Sequence, residues 1–243
     1  MSTLARSSAA LPDPSHPADD AGEPSRLEAR LPPLLSVIAG MVDLTSFFTL
    51  GHIFTAHITG NLVVAAAAAV HSDPLNVAQA LAIPVFMLAV AVVWLIAQAS
   101  DRRGPSLARP LLLVQFLLLA AVLIFSVVTK PSANPHGLMA SIAVMIAVSA
   151  MACQYAVLRL AVPGAISTAV MTGNLTNTVL SLMDILSHRG LLMTADAGRL
   201  KRSLHLLFGF LVGCIVAAAA ISLLADWAWS LPVALAAVAV ALP

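Results

Sequence analysis

From Leu31 onward, apolar runs alternate with short polar segments. A helix rises about 1.5 Å per residue, so crossing a hydrocarbon layer about 30 Å thick takes roughly 20 residues, with about 17 as a floor. Ala80–Ala97, Leu111–Thr129, Leu138–Leu158 and Ser203–Leu224 meet that length without interruption. Leu34–Leu50, Ile53–Val70 and Ile166–Leu186 are long enough but carry polar residues inside them, and Ala228–Leu242 is marginal. The runs are continuous rather than alternating, which predicts helices and not a barrel. Loop formers separate them at His71-Ser72-Asp73-Pro74, Ser100–Pro105 and Lys130–Pro135, and Ser187–Arg202 is the longest internal polar segment.

Residues 1–30 break this pattern. They are rich in Ser, Pro, Ala and Asp and hold no apolar stretch of signal-peptide length. They read as a disordered aqueous tail.

Composition narrows the class further. Of 243 residues, 60% are hydrophobic and 9% charged, with a net charge of +1. A solvated globular surface, a disordered chain and a nucleic-acid binder are thereby excluded. Cys153 and Cys214 lie far apart in apolar runs and make neither a metal spacing nor a redox pair.

One segment recurs. Gly51–Leu62 (GHIFTAHITGNL) and Gly164–Leu175 (GAISTAVMTGNL), offset by 113, share eight of twelve residues. The same offset carries Leu111–Thr129 onto Leu224–Leu242, which raises the marginal last run to a helix. Two copies of a four-helix unit follow. Four spans between equivalent helices make the copies parallel, and paired repeats are common in transporter folds.

The polar residues inside the apolar runs carry the candidate chemistry. Only about ten apolar residues separate Thr59-Gly60-Asn61 from His71, too few to cross a bilayer if the motif is merely a turn. The motif therefore lies within the membrane layer, in a helix or in a break within one. Gly lowers the cost of a break, and Thr and Asn bond freed backbone groups or a polar solute. A small-residue helix contact with Asn bonding across it explains the motif equally well. In the second copy, Thr172-Gly173-Asn174 is followed by Asn177, Ser181 and Asp184 on one helix face. That stripe is expected to face the bundle interior, as part of a solute path or as a hydrogen-bond ladder.

Asp43 sits midway along the first helix, where a carboxylate costs about 2.5–3.5 kcal/mol on insertion scales and needs a partner. His57 and His52 are its nearest candidates in sequence. An Asp43–His57 pair offers a proton relay or a single structural hydrogen bond. Lesser features are Arg159 at an interface, Pro84 as a kink, and Gly209-x-x-x-Gly213 as a close-packing signature. No hydrolase, nucleotide-binding or metalloprotease pattern is present, and no cofactor or metal is implied.

The stretch Ala39–Leu62, with Gly40, Asp43, Gly51, His57 and Thr-Gly-Asn, resembles the YoaK-type family of bacterial inner-membrane proteins. The second Thr-Gly-Asn at 172–174 fits the same pattern. The resemblance covers about residues 34–224 and implies a bacterial cytoplasmic membrane; the family is one of unknown function and implies no substrate.

The sequence thus predicts an all-α polytopic membrane protein of seven or eight transmembrane helices, with a first repeat over 31–130 and a second over 138–243. The leading reading is a permease-like transporter of a small solute, with proton coupling through Asp43 as one form of it. The alternatives are a non-transporting structural or regulatory protein, whose polar residues only hold helices together, and a membrane enzyme. The tail and the 129–138 and 187–202 loops, which hold eight of the twelve Lys and Arg residues, are expected on the cytoplasmic side.

Overall fold

The computed structural model describes residues 26–70, 76–100, 104–162, 165–168, 171–187 and 193–242. Its elements are α1 (Arg26–Thr49), α2 (Gly60–Val70), α3 (Val77–Ala99), α4 (Ala108–Thr129), α5 (Leu138–Leu160), α6 (Met171–Leu186), α7 (Met193–Leu224) and α8 (Ser230–Ala241), joined in part by short 3-10 turns. Most of the predicted tail, residues 1–25, lies outside the described residues, as do His71 and 188–192. Helix α1 begins at Arg26, five residues before the predicted boundary.

Five segments are long and apolar enough to cross a membrane: Ala29–Thr49, Val77–Ala99, Ala108–Thr129, Leu138–Leu160 and Ala197–Ala241. The last, of 45 residues, is broken at Ala225, whose φ is +50°. Helix α3 shows what these helices face. Its mean hydropathy is 2.7, yet only 11% of its apolar window is buried, so its hydrocarbon surface points outward. Apolar surface on that scale needs lipid. The fold is that of a multi-pass helical membrane protein.

Among the described residues five candidate spans stand where seven or eight were expected. Ile53–Val70 is a non-helical stretch followed by the 11-residue α2, about 16 Å long. Helix α6 has 16 residues.

Contacts fix the directions of the helices. On α1, Ser36 Oγ donates to the Leu206 carbonyl, a Cβ on Gly40 would strike the Phe210 carbonyl, and one on Gly213 would strike the Val37 carbonyl. Rising numbers meet rising numbers, so α1 and α7 run parallel, with their backbones nearly touching because these positions are glycine. Helix α5 runs the other way. Gly51, beyond the end of α1, touches Pro135 before α5, and Gln154 on α5 donates to the Leu35 carbonyl near the start of α1.

Asn76, the N-cap of α3, donates to the Gly51 carbonyl. The chain from Gly51 to Asn76 therefore leaves and rejoins the bundle at the same end. It is a hairpin and not a crossing. Three candidate crossings, α1, α3 and α4, precede α5, where four were expected. The 129–138 loop lies beside Gly51, at the end of α1 opposite to Arg26, where the side of the start of α1 was expected.

Candidate functional site

The first hairpin starts at a helix stop. Gly51, at φ +85°, and His52, at φ +59°, turn the chain out of α1, and the His52 N–H closes back on the Phe47 carbonyl. Gly in the left-handed region is the common way to end a helix. Residues 53–59 then run back alongside α1. His57 meets the ring of Phe210 edge-on at 5.0 Å, at the level of Gly40, midway along the first apolar span. From there α2 returns toward the end from which the hairpin came.

Irregular backbone deep in an apolar bundle must find partners within the protein. Here side chains provide six of them. Ser46 Oγ donates to the Ile53 carbonyl at 2.8 Å. Asn61 matches Phe54 twice, accepting from its N–H at 2.9 Å and donating to its carbonyl at 2.8 Å. Asp43 Oδ1 accepts from the N–H groups of Thr55, at 2.7 Å, and Ala56, at 2.8 Å. Its Oδ2 meets His57 Nδ1 at 2.7 Å, the imidazole donating to the carboxylate. Tyr155 on α5 donates its hydroxyl to the Ala56 carbonyl at 2.9 Å. The hairpin's own backbone adds three more: Gly60, Asn61 and Leu62 N–H groups bond the carbonyls of His57, Ile58 and Thr59.

Asp43 and His57 are thus brought together. Asp43 is buried and His57 keeps 31% of its side chain exposed. Asn61 is fully buried, and a Cβ on Gly60 would press on the Phe54 ring, so the motif's Gly and Asn both serve the fold of the hairpin. Thr59 is exposed.

The second hairpin, between α5 and α7, is described in part. Asn174 Nδ2 donates to the Ser167 carbonyl, seven residues earlier, as Asn61 does to Phe54. The predicted polar stripe on α6 is divided. Asn174, Thr178 and Ser181 are buried, whereas Asn177 and Asp184 are exposed. Thr172 is exposed and Gly173 half-buried. The inward face runs 174–178–181, and Asn177 and Asp184 lie to one side of it. No hydrogen bond joins the two Thr-Gly-Asn motifs among the described residues.

The family described as "Protein of unknown function (DUF1275)" matches residues 31–242. The chain belongs to the DUF1275 family. No curated protein and no solved structure matches it. For this DUF1275 chain, sequence reading singled out Asp43, His57 and Asn61 but missed Ser46 and Tyr155. Tyr155 carried a signal: it is the one tyrosine of the chain, set in an apolar helix where its hydroxyl needs a partner.

Proposed function

We propose that the chain is a permease for a small solute, built from two inverted copies of a unit with three crossings and one half-length helix. One observation carries this reading: the half-length helices α2 and α6 belong to hairpins at opposite ends of the bundle, and each places its Asn on a carbonyl seven residues back. The two bonds are related by the same offset of 113 that relates the sequences. Inverted repeats with discontinuous helices are a recurrent plan of secondary transporters, with the site where half-helix ends reach the midplane.

Charge supports the topology. With three crossings per copy, the N-terminal segment, the α3–α4 connection, the end of α5 and the segment leading into α7 share one side. Eleven of the twelve Lys and Arg residues belong to these segments; Lys130 alone belongs to the other side. Such an excess marks the cytoplasmic face. The YoaK-type resemblance and this bias support a bacterial cytoplasmic membrane with the N-terminus inside.

A second reading has its own support. Asp43 and Asn61 are largely occupied by the backbone of the first hairpin, which is what a non-transporting protein with polar helix glue requires.

Two measurements test the proposal. In a chain lacking Cys153 and Cys214, an impermeant thiol reagent outside the cell should label a cysteine at Ala133 and leave one at Ser106 unlabelled; the reverse pattern removes the inverted topology. Proteoliposomes should show saturable, protein-dependent uptake of at least one small neutral, cationic or anionic solute. Passive leakage alone across that panel favours the non-transporting reading.

A further inference from the structure

The Asp43–His57 pair has one polar atom left over. Asp43 Oδ1 accepts from the N–H groups of Thr55 and Ala56, and Oδ2 meets His57 Nδ1 at 2.7 Å. Three N–H donors share the two carboxylate oxygens, so Asp43 serves as a fixed acceptor. That fixes the ring as well: Nδ1 carries the hydrogen, and Nε2 keeps its lone pair. Nε2 has no hydrogen-bond partner among the described residues, yet it is not buried, and 31% of the side chain is exposed. The ring lies against Phe210, midway along the first apolar span. A bare ring nitrogen gains nothing from hydrocarbon. At this depth ionisable side chains face the bundle interior or water, and they mark proton paths.

The imidazole is not needed to build a hairpin of this kind. The offset of 113 puts Ala156 where Asp43 stands and Val170 where His57 stands, so the second copy lacks both members of the pair. Asn174 still reaches the Ser167 carbonyl there. In the first hairpin the His57 side chain bonds no backbone group; its partners are Asp43 Oδ2 and the Phe210 ring. A histidine that the fold does not use, held by a carboxylate in one tautomer, is free for chemistry at its other nitrogen.

We infer that His57 Nε2 is the proton-binding atom of this chain, reached by water, with Asp43 as its positioning residue. A proton from water adds to the Nε2 lone pair and leaves from the same atom. The unloaded pair carries one negative charge. The loaded pair, imidazolium against carboxylate, is net neutral, which lowers the cost of holding it in an apolar layer. Two other titratable groups among the described residues feel the charge of Asp43: Tyr155 on α5 and Cys214 on α7. Both are committed elsewhere, Tyr155 donating to the Ala56 carbonyl and Cys214 to the Gly40 carbonyl. Neither competes for Nε2. This rests on the permease reading for its role and makes that permease proton-coupled.

The full-length protein, carrying isotope-labelled histidine, is followed in liposomes by nitrogen NMR, with His57→Gln identifying the signals of the ring. At alkaline pH the ring should show a protonated Nδ1 and a bare Nε2, and acidification should protonate Nε2 reversibly. Asp43→Asn turns an amide N–H toward Nδ1 and should move the ring hydrogen to Nε2, a change of tautomer that a merely structural carboxylate does not control. A wild-type ring with its hydrogen on Nε2, or an Nε2 that does not respond to pH, overturns the proposal. Water access is the second measurement, and it stays informative if the Asn variant fails to fold. In a chain lacking Cys153 and Cys214, a charged thiol reagent should label His57→Cys and leave Leu88→Cys, exposed on the lipid-facing α3, unlabelled. No labelling at position 57 overturns the proposal too. Proteoliposomes separate the two levels. Titration of Nε2 without uptake of any solute keeps the proton site and removes the permease; saturable uptake that ignores pH and is unchanged in His57→Gln keeps the permease and removes the proton coupling.

Discussion

The two hairpins begin from nearly the same twelve residues and reach different degrees of closure. In the first, Ser46, Asp43, Asn61 and Tyr155 together bond six backbone groups between Ile53 and Ala56. In the second, Asn174 reaches the Ser167 carbonyl, while the Thr168 hydroxyl has no hydrogen-bond partner among the described residues. The shared motif therefore fixes the start of a half-length helix but not the state of the chain that leads into it. That state is set by residues on the neighbouring long helix, and these differ: Asp43 and Ser46 on α1 correspond to Ala156 and Arg159 on α5.

The largest expected effect is at Asp43. Asp43→Ala leaves two backbone N–H groups and an imidazole without their acceptor in a buried setting. Breaking a buried ionic contact of this kind costs about 3–5 kcal/mol. Ala156→Gly, at the corresponding place, should cost about 1 kcal/mol from helix propensity alone. Thermal melts in one detergent compare the two directly. Equal losses would mean that Asp43 does not hold the first hairpin and would erase the contrast.

The asparagines should rank next. Asn61 satisfies both the N–H and the carbonyl of Phe54, so Asn61→Ala orphans two buried groups and should cost about 2–3 kcal/mol. Asn174 donates to one carbonyl and lies 4.0 Å from the Met171 sulfur, a weak contact. Asn174→Ala should cost about 1 kcal/mol. The same melts read the difference, and a larger loss at Asn174 would show that the second hairpin is the more tightly closed of the two.

Much of this arrangement was legible in the chain. Gly40, Gly209 and Gly213 marked the α1–α7 crossing, because only small residues let backbones approach so closely. The shortage of apolar residues after Thr-Gly-Asn placed the motif within the apolar layer. What misled was counting Ile53–Val70 as a span. Its length permits a crossing, and hydropathy carries no direction; the direction is set by Asn76 reaching the Gly51 carbonyl across 25 positions, a tertiary contact that periodicity does not encode. Gly51 was in fact a readable stop signal, since a glycine just past a helix end often takes the left-handed conformation. The stripe on α6 failed for a different reason. Spacings of three drift around a helix, so Asn177 and Asp184 turned away from Asn174 and Ser181.

The smallest effect, and the sharpest probe of the contrast, is at Tyr155. Its hydroxyl bonds the Ala56 carbonyl, and its ring lies 5.9 Å from that of Phe86. Tyr155→Phe keeps the ring packing and removes one hydrogen bond, a change of about 1 kcal/mol. Its counterpart on α1 is Val42, an apolar side chain with no polar group to offer the second hairpin. The substitution thus makes the first hairpin resemble the second at one point only. Loss of that bond should loosen the segment Thr55–His57 while α1 itself stays closed, since the helix keeps its own ladder. Hydrogen–deuterium exchange should rise in peptides covering 53–59 and stay unchanged in those covering 31–45. If exchange rises equally in both, Tyr155 supports the whole bundle rather than the hairpin, and the closure of the first hairpin rests on Asp43, Ser46 and Asn61 without it.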